Sequence, residues 1–334
     1  MKRVLFALFL QLCNFFVAAQ GIAPACWLSS LDDDIQVSSL SVPGAHDAAT
    51  GEGLCFVAGF GKTQALGLSA QWDCGVRAFD LRPALSNGEL HIYHGPIKTE
   101  VSFDEALELL SDKLNQYPGE FAIVLLRNEG GEHGEWSSAV GKAVEKLGNK
   151  TAGFAPAMTV GDLRGKILFL SRDRYSGSDS GAYITGWSHS DKGTTGANII
   201  SCKDGSSASL NVQEYYDVSG SGGEEKKSGA VLSCLDISAS AAEGVWTMNF
   251  LSGYSTTWLG CTPFATSAGY KRNAEHINSL VIDTLSVRKE DMPTGILFMD
   301  YAGVDEATGG IWHWNRFMVM GHSLVKCIIE NNFR

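Results

Sequence analysis

Three short segments carry the residues best suited to chemistry. Ser41-Val42-Pro43-Gly44-Ala45-His46-Asp47 sets an imidazole directly after a Pro-Gly pair, where a chain leaving a strand would present it at a barrel mouth. Phe79-Asp80-Leu81-Arg82 places a carboxylate and a guanidinium two residues apart, hence on one side of a strand. Leu90-His91-Ile92-Tyr93-His94-Gly95-Pro96 sets a further imidazole before a Gly-Pro turn. Two imidazoles can divide proton transfer, one accepting while the other donates, and a guanidinium binds two phosphate oxygens in a fork. The set therefore suits phosphoryl transfer if the segments converge. Spacing alone is met equally well by three unrelated polar residues on separate strands.

Convergence depends on the elements that carry these segments. Short apolar runs with β character occur at Val76–Leu81, Leu90–Tyr93, Phe121–Leu126, Lys166–Leu170, Val245–Phe250 and Ile296–Met299. Ser102-Phe103-Asp104-Glu105 reads as a capping box, and Phe103, Ala106, Leu107, Leu110 and Leu114 follow at helical spacing until Pro118. Ala139, Val140, Ala143, Val144 and Leu147 mark a second helix. Nearly continuous apolar strands alternating with helices predict a parallel sheet covered on both faces, either a (β/α) barrel or a doubly wound sheet, and the length favours the barrel. The Gly- and Ser-rich stretch from Tyr175 to Gly229 reads as long loops, with one irregular strand at Leu210–Tyr216.

The chain has 334 residues, is 44% apolar and 19% charged, and shows no internal repeat or separating linker, which excludes disorder, collagen and coiled coil and predicts one domain over 20–334. Residues 1–19 read as a secretory signal: Lys2 and Arg3, an apolar run from Val4 to Phe16 too short to span a bilayer, then small residues before Gln20. The expected address is secreted or periplasmic, without a transmembrane anchor. A net charge of −11 makes a nucleic-acid partner improbable and disfavours broad electrostatic attachment to an anionic membrane. Seven cysteines remain beyond Cys13; export allows one to three disulfides, and buried free thiols are the equal alternative.

The sequence resembles the bacterial phosphatidylinositol-specific phospholipase C family, whose catalytic region carries a Pro-Gly-Thr-His-Asp turn, a Phe-Asp-Ile-Arg strand and a His-Gly-Pro turn. Here these are Pro43–Asp47, Phe79–Arg82 and His94–Pro96. Lys62-Thr63-Gln64, Leu163–Lys166, Arg174–Gly177, Val212–Tyr216 and Met299-Asp300-Tyr301 extend the likeness in order along the chain. The resemblance implies a single distorted TIM-type (β/α) barrel and cleavage of the glycerol–phosphate bond of phosphatidylinositol, or of related lipid anchors, to diacylglycerol and inositol 1,2-cyclic phosphate.

In that reading His46 is the general base on the inositol 2-hydroxyl, His94 the general acid, and Arg82 the phosphate stabiliser. Asp300 pairs with His46, Asp47 stands near His94 and Arg82, and Asp80 is a further polar member. The inositol subsite falls on Arg127, on Arg172 or Arg174, and on Glu214 and Tyr216. His91 is three residues from His94 and on the opposite face by alternation, so only His94 matches the motif. Ala45, Ala48 and Tyr93 depart from residues common in the family. The resemblance implies no cofactor, because Arg82 stands where calcium-dependent relatives would offer a metal-ligand carboxylate; calcium independence is expected. It also places Phe60 and Trp258 at a membrane interface, as a local apolar contact, and implies no protein partner. A noncatalytic inositol-lipid or glycan-binding protein is the rival of a different class. A glycerophosphodiesterase would want an early His-Arg-Gly and a Glu-x-Asp pair, which the chain lacks.

Overall fold

In the computed structural model the described residues are 21–53, 61–176, 181–187, 198–202, 204–259, 262–265, 267–288, 292–308 and 315–334, with side chains left out at 257–259, 262–265 and 267. Residues 1–19, read above as a secretory signal, lie outside them. In chain order the strands are β1 (Ser41–Ala45), β2 (Ala78–Leu81), β3 (Pro83–Ser86), β4 (Glu89–His94), β5 (Ile97–Ser102), β6 (Ala122–Leu126), β7 (Thr151–Ala152) and β8 (Ile167–Ser171). They continue with β9 (Ala182–Thr185), β10 (Asn198–Ser201), β11 (Ser207–Gln213), β12 (Trp246–Phe250), β13 (Thr256–Leu259), β14 (Thr262–Ala265), β15 (Gly295–Met299), β16 (Ala307–Thr308) and β17 (Arg316–Phe317). The helices are α1 (Leu68–Cys74), α2 (Phe103–Gln116), α3 (His133–Glu145), α4 (Val160–Leu163), α5 (Gly223–Ala239), α6 (Ser267–Val287) and α7 (Gly321–Glu330).

Every residue of β1, β2, β6, β8, β12 and β15 is buried, as strands covered on both faces must be. With β9, β10 and β11 they close a ring in the order β1, β2, β6, β8, β9, β10, β11, β12, β15 and back to β1. All neighbours run parallel except β10, which is antiparallel to both β9 and β11. The distorted TIM-type barrel is thus the observed architecture, with β10 as its irregularity. The capping box at α2 forms as read: Ser102 Oγ accepts the Glu105 N–H at 3.2 Å, and Glu105 Oε2 accepts the Ser102 N–H at 2.8 Å.

The expectation of long loops from Tyr175 to Gly229 is corrected. That stretch contains β9, β10, β11 and the first turns of α5. Its glycines and serines mask elements whose stability comes from packing: Val231, Cys234 and Leu235 of α5 are buried at helical spacing, and β10 survives because both its edges are paired. The five cysteines within the described residues, Cys26, Cys74, Cys202, Cys234 and Cys327, are free thiols.

Parallel register puts the chemistry at one end. Ala45 is level with both Met299 and Phe79, so His46, Asp300 and Asp80 emerge side by side. Leu81 is level with Leu126, and Leu126 with Ser171, so Arg82, Arg127 and Arg172 follow at the same rim. Glu214 comes just after Gln213, which is level with Asn249. This is the C-terminal end of the strands, where barrels of this type build their sites. Strands β3, β4 and β5 form a separate antiparallel sheet that leaves the rim directly after Arg82.

Candidate active site

His46 begins where β1 stops. Its N–H donates to the Met299 carbonyl at 3.0 Å, and its own carbonyl accepts Gln64 Nε2 at 2.8 Å. Gln64 Nε2 also reaches the Met299 carbonyl at 2.8 Å, and Gln64 Oε1 accepts the Ala302 N–H at 2.9 Å. The Lys62-Thr63-Gln64 segment therefore clamps the ends of β1 and β15 together. Asp47 and Tyr301, the residues directly after His46 and Asp300, both take left-handed backbone with φ of 43° and 56°. Non-glycine residues rarely accept that conformation, and here it turns both chains sharply away once the imidazole and carboxylate are delivered.

Asp300 Oδ1 lies 2.8 Å from His46 Nδ1. A carboxylate accepts, so Nδ1 carries the proton and Nε2 faces the cavity. Two groups stand at that atom: Arg82 Nη2 at 3.0 Å and Asp47 Oδ2 at 3.1 Å. Arg82 also contacts Asp47 Oδ1 through Nε at 2.9 Å and Asp80 Oδ2 through Nη2 at 2.8 Å. His94, at the end of β4, donates Nδ1–H to the Gly61 carbonyl at 2.7 Å, and its Nε2 lies 3.4 Å from Asp47 Oδ2. The two imidazole centroids are 6.4 Å apart. His91, by contrast, faces Glu89 at 3.4 Å on the far side of the hairpin.

Electrostatics follow from burial and charge. Burial opposes a charge on His46, but Asp47 and Asp300 outweigh it and hold its pKa above the ordinary value. Burial also opposes the charge on Asp47, yet Arg82 and the two histidines pull its pKa down to about 2. For Asp300 burial wins over the pull of His46, and its pKa is raised. Burial disfavours the Arg82 cation, and Asp47, Asp80 and Glu129 more than restore it.

His46, Asp47 and Asp80 could in number hold a metal ion, since their ligand atoms lie within 4.8 Å of one another. The Arg82 guanidinium already contacts all three, and its fixed charge takes the place a cation would fill.

The cavity over these groups, of about 220 Å³, is lined by His46, Arg82 and His94 together with Arg127, Glu214 and Tyr216. Glu214 spends both oxygens, accepting Arg172 Nη1 at 3.0 Å and Trp187 Nε1 at 2.7 Å, while the Arg172 guanidinium lies 4.1 Å over the Trp187 ring. Arg174 instead covers the Tyr183 ring at 5.0 Å. Of the two arginines, Arg172 is the one that contacts a residue lining the cavity, Glu214. Phe60 lies outside the described residues; Trp258 has its backbone in β13, with its side chain outside them.

Sequence reading missed Glu129, Tyr270, Tyr254 and Trp187. Tyr270 and Tyr254 line the cavity, and the Tyr270 ring is 6.0 Å from His94. No local signal marks these aromatics. Glu129 could have been found, because it stands two residues past Arg127 and so shares its face.

Fold and site together define a TIM-type barrel with a buried cluster of histidine, aspartate and arginine side chains at its mouth. No family model matches the sequence. The chain is 27% identical over 303 residues to a 1-phosphatidylinositol phosphodiesterase of Staphylococcus aureus (strain Newman), covering 84% of this chain and 89% of that protein. It is 29% identical over 156 residues to the Listeria monocytogenes protein of the same name, a match spanning 44% of this chain and about half (48%) of that protein. Among solved structures, the S. aureus phosphatidylinositol-specific phospholipase C superposes with a TM-score of 0.71 at 22% identity, over 93% of this chain and 98% of that one. The L. monocytogenes enzyme gives 0.66 at 21%, over 93% and 99%. The resemblance to bacterial phosphatidylinositol-specific phospholipases C therefore holds over most of the chain.

Proposed function

We propose that this protein is an exported phosphatidylinositol-specific phospholipase C that releases diacylglycerol and inositol 1,2-cyclic phosphate. The observation that carries the reading is the chain of contacts joining Asp300, His46, Arg82, Asp47 and His94 at one cavity. Neutral His46 Nε2 takes the proton of the inositol 2-hydroxyl, whose oxygen attacks phosphorus within the same molecule; proximity lowers the cost of that step. The bond from phosphorus to the glycerol oxygen breaks, and His94 Nε2–H protonates the departing oxygen. Arg82 offsets the charge that develops on the phosphoryl oxygens, and Asp47 and Asp80 hold the guanidinium in place. Asp300 fixes the His46 tautomer. Arg127, Arg172, Glu214 and Tyr216 hold the inositol ring.

Calcium independence is part of this reading and rests on Arg82 occupying the His46–Asp47–Asp80 cluster. Export rests on the leader-like residues 1–19; among the described residues no helix is long and apolar enough to cross a membrane. Phe60 and Trp258 are proposed to supply a local apolar contact with the lipid surface.

Phosphorus NMR of the purified protein with phosphatidylinositol vesicles tests the proposal. A cyclic-phosphate resonance that grows unchanged in the presence of a chelator is expected. Its absence, or its loss with chelator, would overturn the reading or its metal independence respectively.

A further inference from the structure

Glu129 stands just beyond β6 and lines the cavity with Arg127. Its Oε1 accepts the backbone N–H of Gly95 at 2.9 Å. Gly95 directly follows His94 at the hairpin tip and takes a φ of 56°. The other carboxylate oxygen, Oε2, is buried without a hydrogen-bond partner, with Arg127 Nε at 3.6 Å. Among the described residues, the hydrogen bonding of this carboxylate is thus directed to the turn that carries His94.

The hairpin needs such a tie. Strands β3, β4 and β5 belong to their own sheet, so no ladder of the barrel sets how far the tip leans over β1. The Gly61 carbonyl holds the imidazole itself. Glu129 holds the backbone behind it, linking the tip to the rim at the end of β6.

We infer that Glu129 is the positioning residue for His94, its hydrogen bond to Gly95 setting where the imidazole stands over the leaving group. The inference rests on the reading of His94 as general acid. An acid matters most when the leaving group is poor: the alkoxide of diacylglycerol needs a proton, whereas a nitrophenolate departs without one.

The test compares kcat on phosphatidylinositol with kcat on inositol 4-nitrophenyl phosphate. Glu129→Asp keeps the charge and loses one methylene of reach; it should lower kcat about 10²-fold on the lipid, the scale of a misplaced catalytic group, and far less on the nitrophenyl ester. Glu129→Gln keeps an acceptor oxygen at full reach and should recover at least about tenfold of that loss. Equal losses on both substrates in Glu129→Asp, or a Gln variant as damaged as the Asp variant, would overturn the inference. His94→Ala serves as the reference: if it too loses equally on both substrates, the acid role fails and the inference with it. If His94→Ala shows the leaving-group dependence and Glu129→Asp does not, the positioning role alone fails.

Discussion

Arg82 Nη2 stands 3.0 Å from His46 Nε2, the same imidazole nitrogen that has Asp47 Oδ2 at 3.1 Å. A neutral imidazole accepts from the guanidinium there; a protonated one donates to the carboxylate. Both protonation states of His46 thus find a partner without movement of the protein, which is what a base that gains and returns a proton requires.

Arg82→Lys should therefore fail despite its retained charge. One ammonium cannot replace the three contacts to His46, Asp47 and Asp80 and still present a fork to phosphate. Turnover of phosphatidylinositol should fall by about 10²–10³-fold, and turnover within a few fold of wild type would refute the role.

Because Asp47 and Asp300 hold the His46 pKa above its ordinary 6.5, the rising limb of the pH–rate profile should lie above pH 6.5, where His46 becomes neutral. Asp300→Asn removes one of the anions that favour the imidazolium. The limb should then move to lower pH while kcat drops. An unmoved limb in the variant would mean that another group sets it.

Asp47 is predicted to govern acid stability. Its pKa falls from 3.8 to about 2 on folding, so its contribution is complete above the unfolded value and is lost as pH drops through the folded one. Urea denaturation should show wild type losing about 2 kcal/mol from this group between pH 4 and pH 2. Asp47→Asn should lack that component of the slope, and parallel slopes would contradict the assignment.

Lys227 of α5 is fully buried, and Nζ donates to the Phe250 carbonyl. Burial, only partly offset by Asp300 and Glu214, lowers its pKa to about 7. Between pH 7 and 10 the unfolded chain then binds the extra proton, so stability rises with pH across that window. Lys227→Met should flatten the rise and stabilise the protein more at pH 7 than at pH 10. Identical pH slopes for variant and wild type in denaturant titrations would refute this.

Gly61 has a φ of 74°, and a Cβ there would stand 2.7 Å from Ile97 Cδ1 and 3.4 Å from His94 Nδ1. Gly61→Ala should shift the carbonyl that holds the His94 imidazole and lower kcat on the lipid by about tenfold or more, with KM changing less. A wild-type kcat would show that the imidazole is held without it.

Much of this molecule is written in contiguous residues. Within the apolar runs, 122–126, 246–250 and 296–299 lie in fully buried strands, because a strand covered by helices needs apolar side chains on both faces whatever its partners. The Ser102–Glu105 box caps α2 through contacts only three residues apart. His46, the Asp80–Arg82 pair and His94 stood out for the same reason, since each sits at a local punctuation of the chain. The antiparallel β10, the start of α5 inside a Gly- and Ser-rich stretch, and the pairing of Arg172 with Glu214 could not be read that way.

Those depend on closure of the ring. Met299 becomes level with Ala45 only when β15 docks on β1, and that register alone brings Asp300 to His46 across 254 residues. Contiguous residues carry the side-chain types, and the local elements, available for acid–base chemistry at a phosphate. Folding is what makes Arg82 meet His46, Glu129 grip the turn behind His94, and Glu214 accept from Arg172 and Trp187. Periodicity and capping are properties of a few neighbouring residues, whereas strand register and the lean of a hairpin are set by packing between segments far apart in the chain.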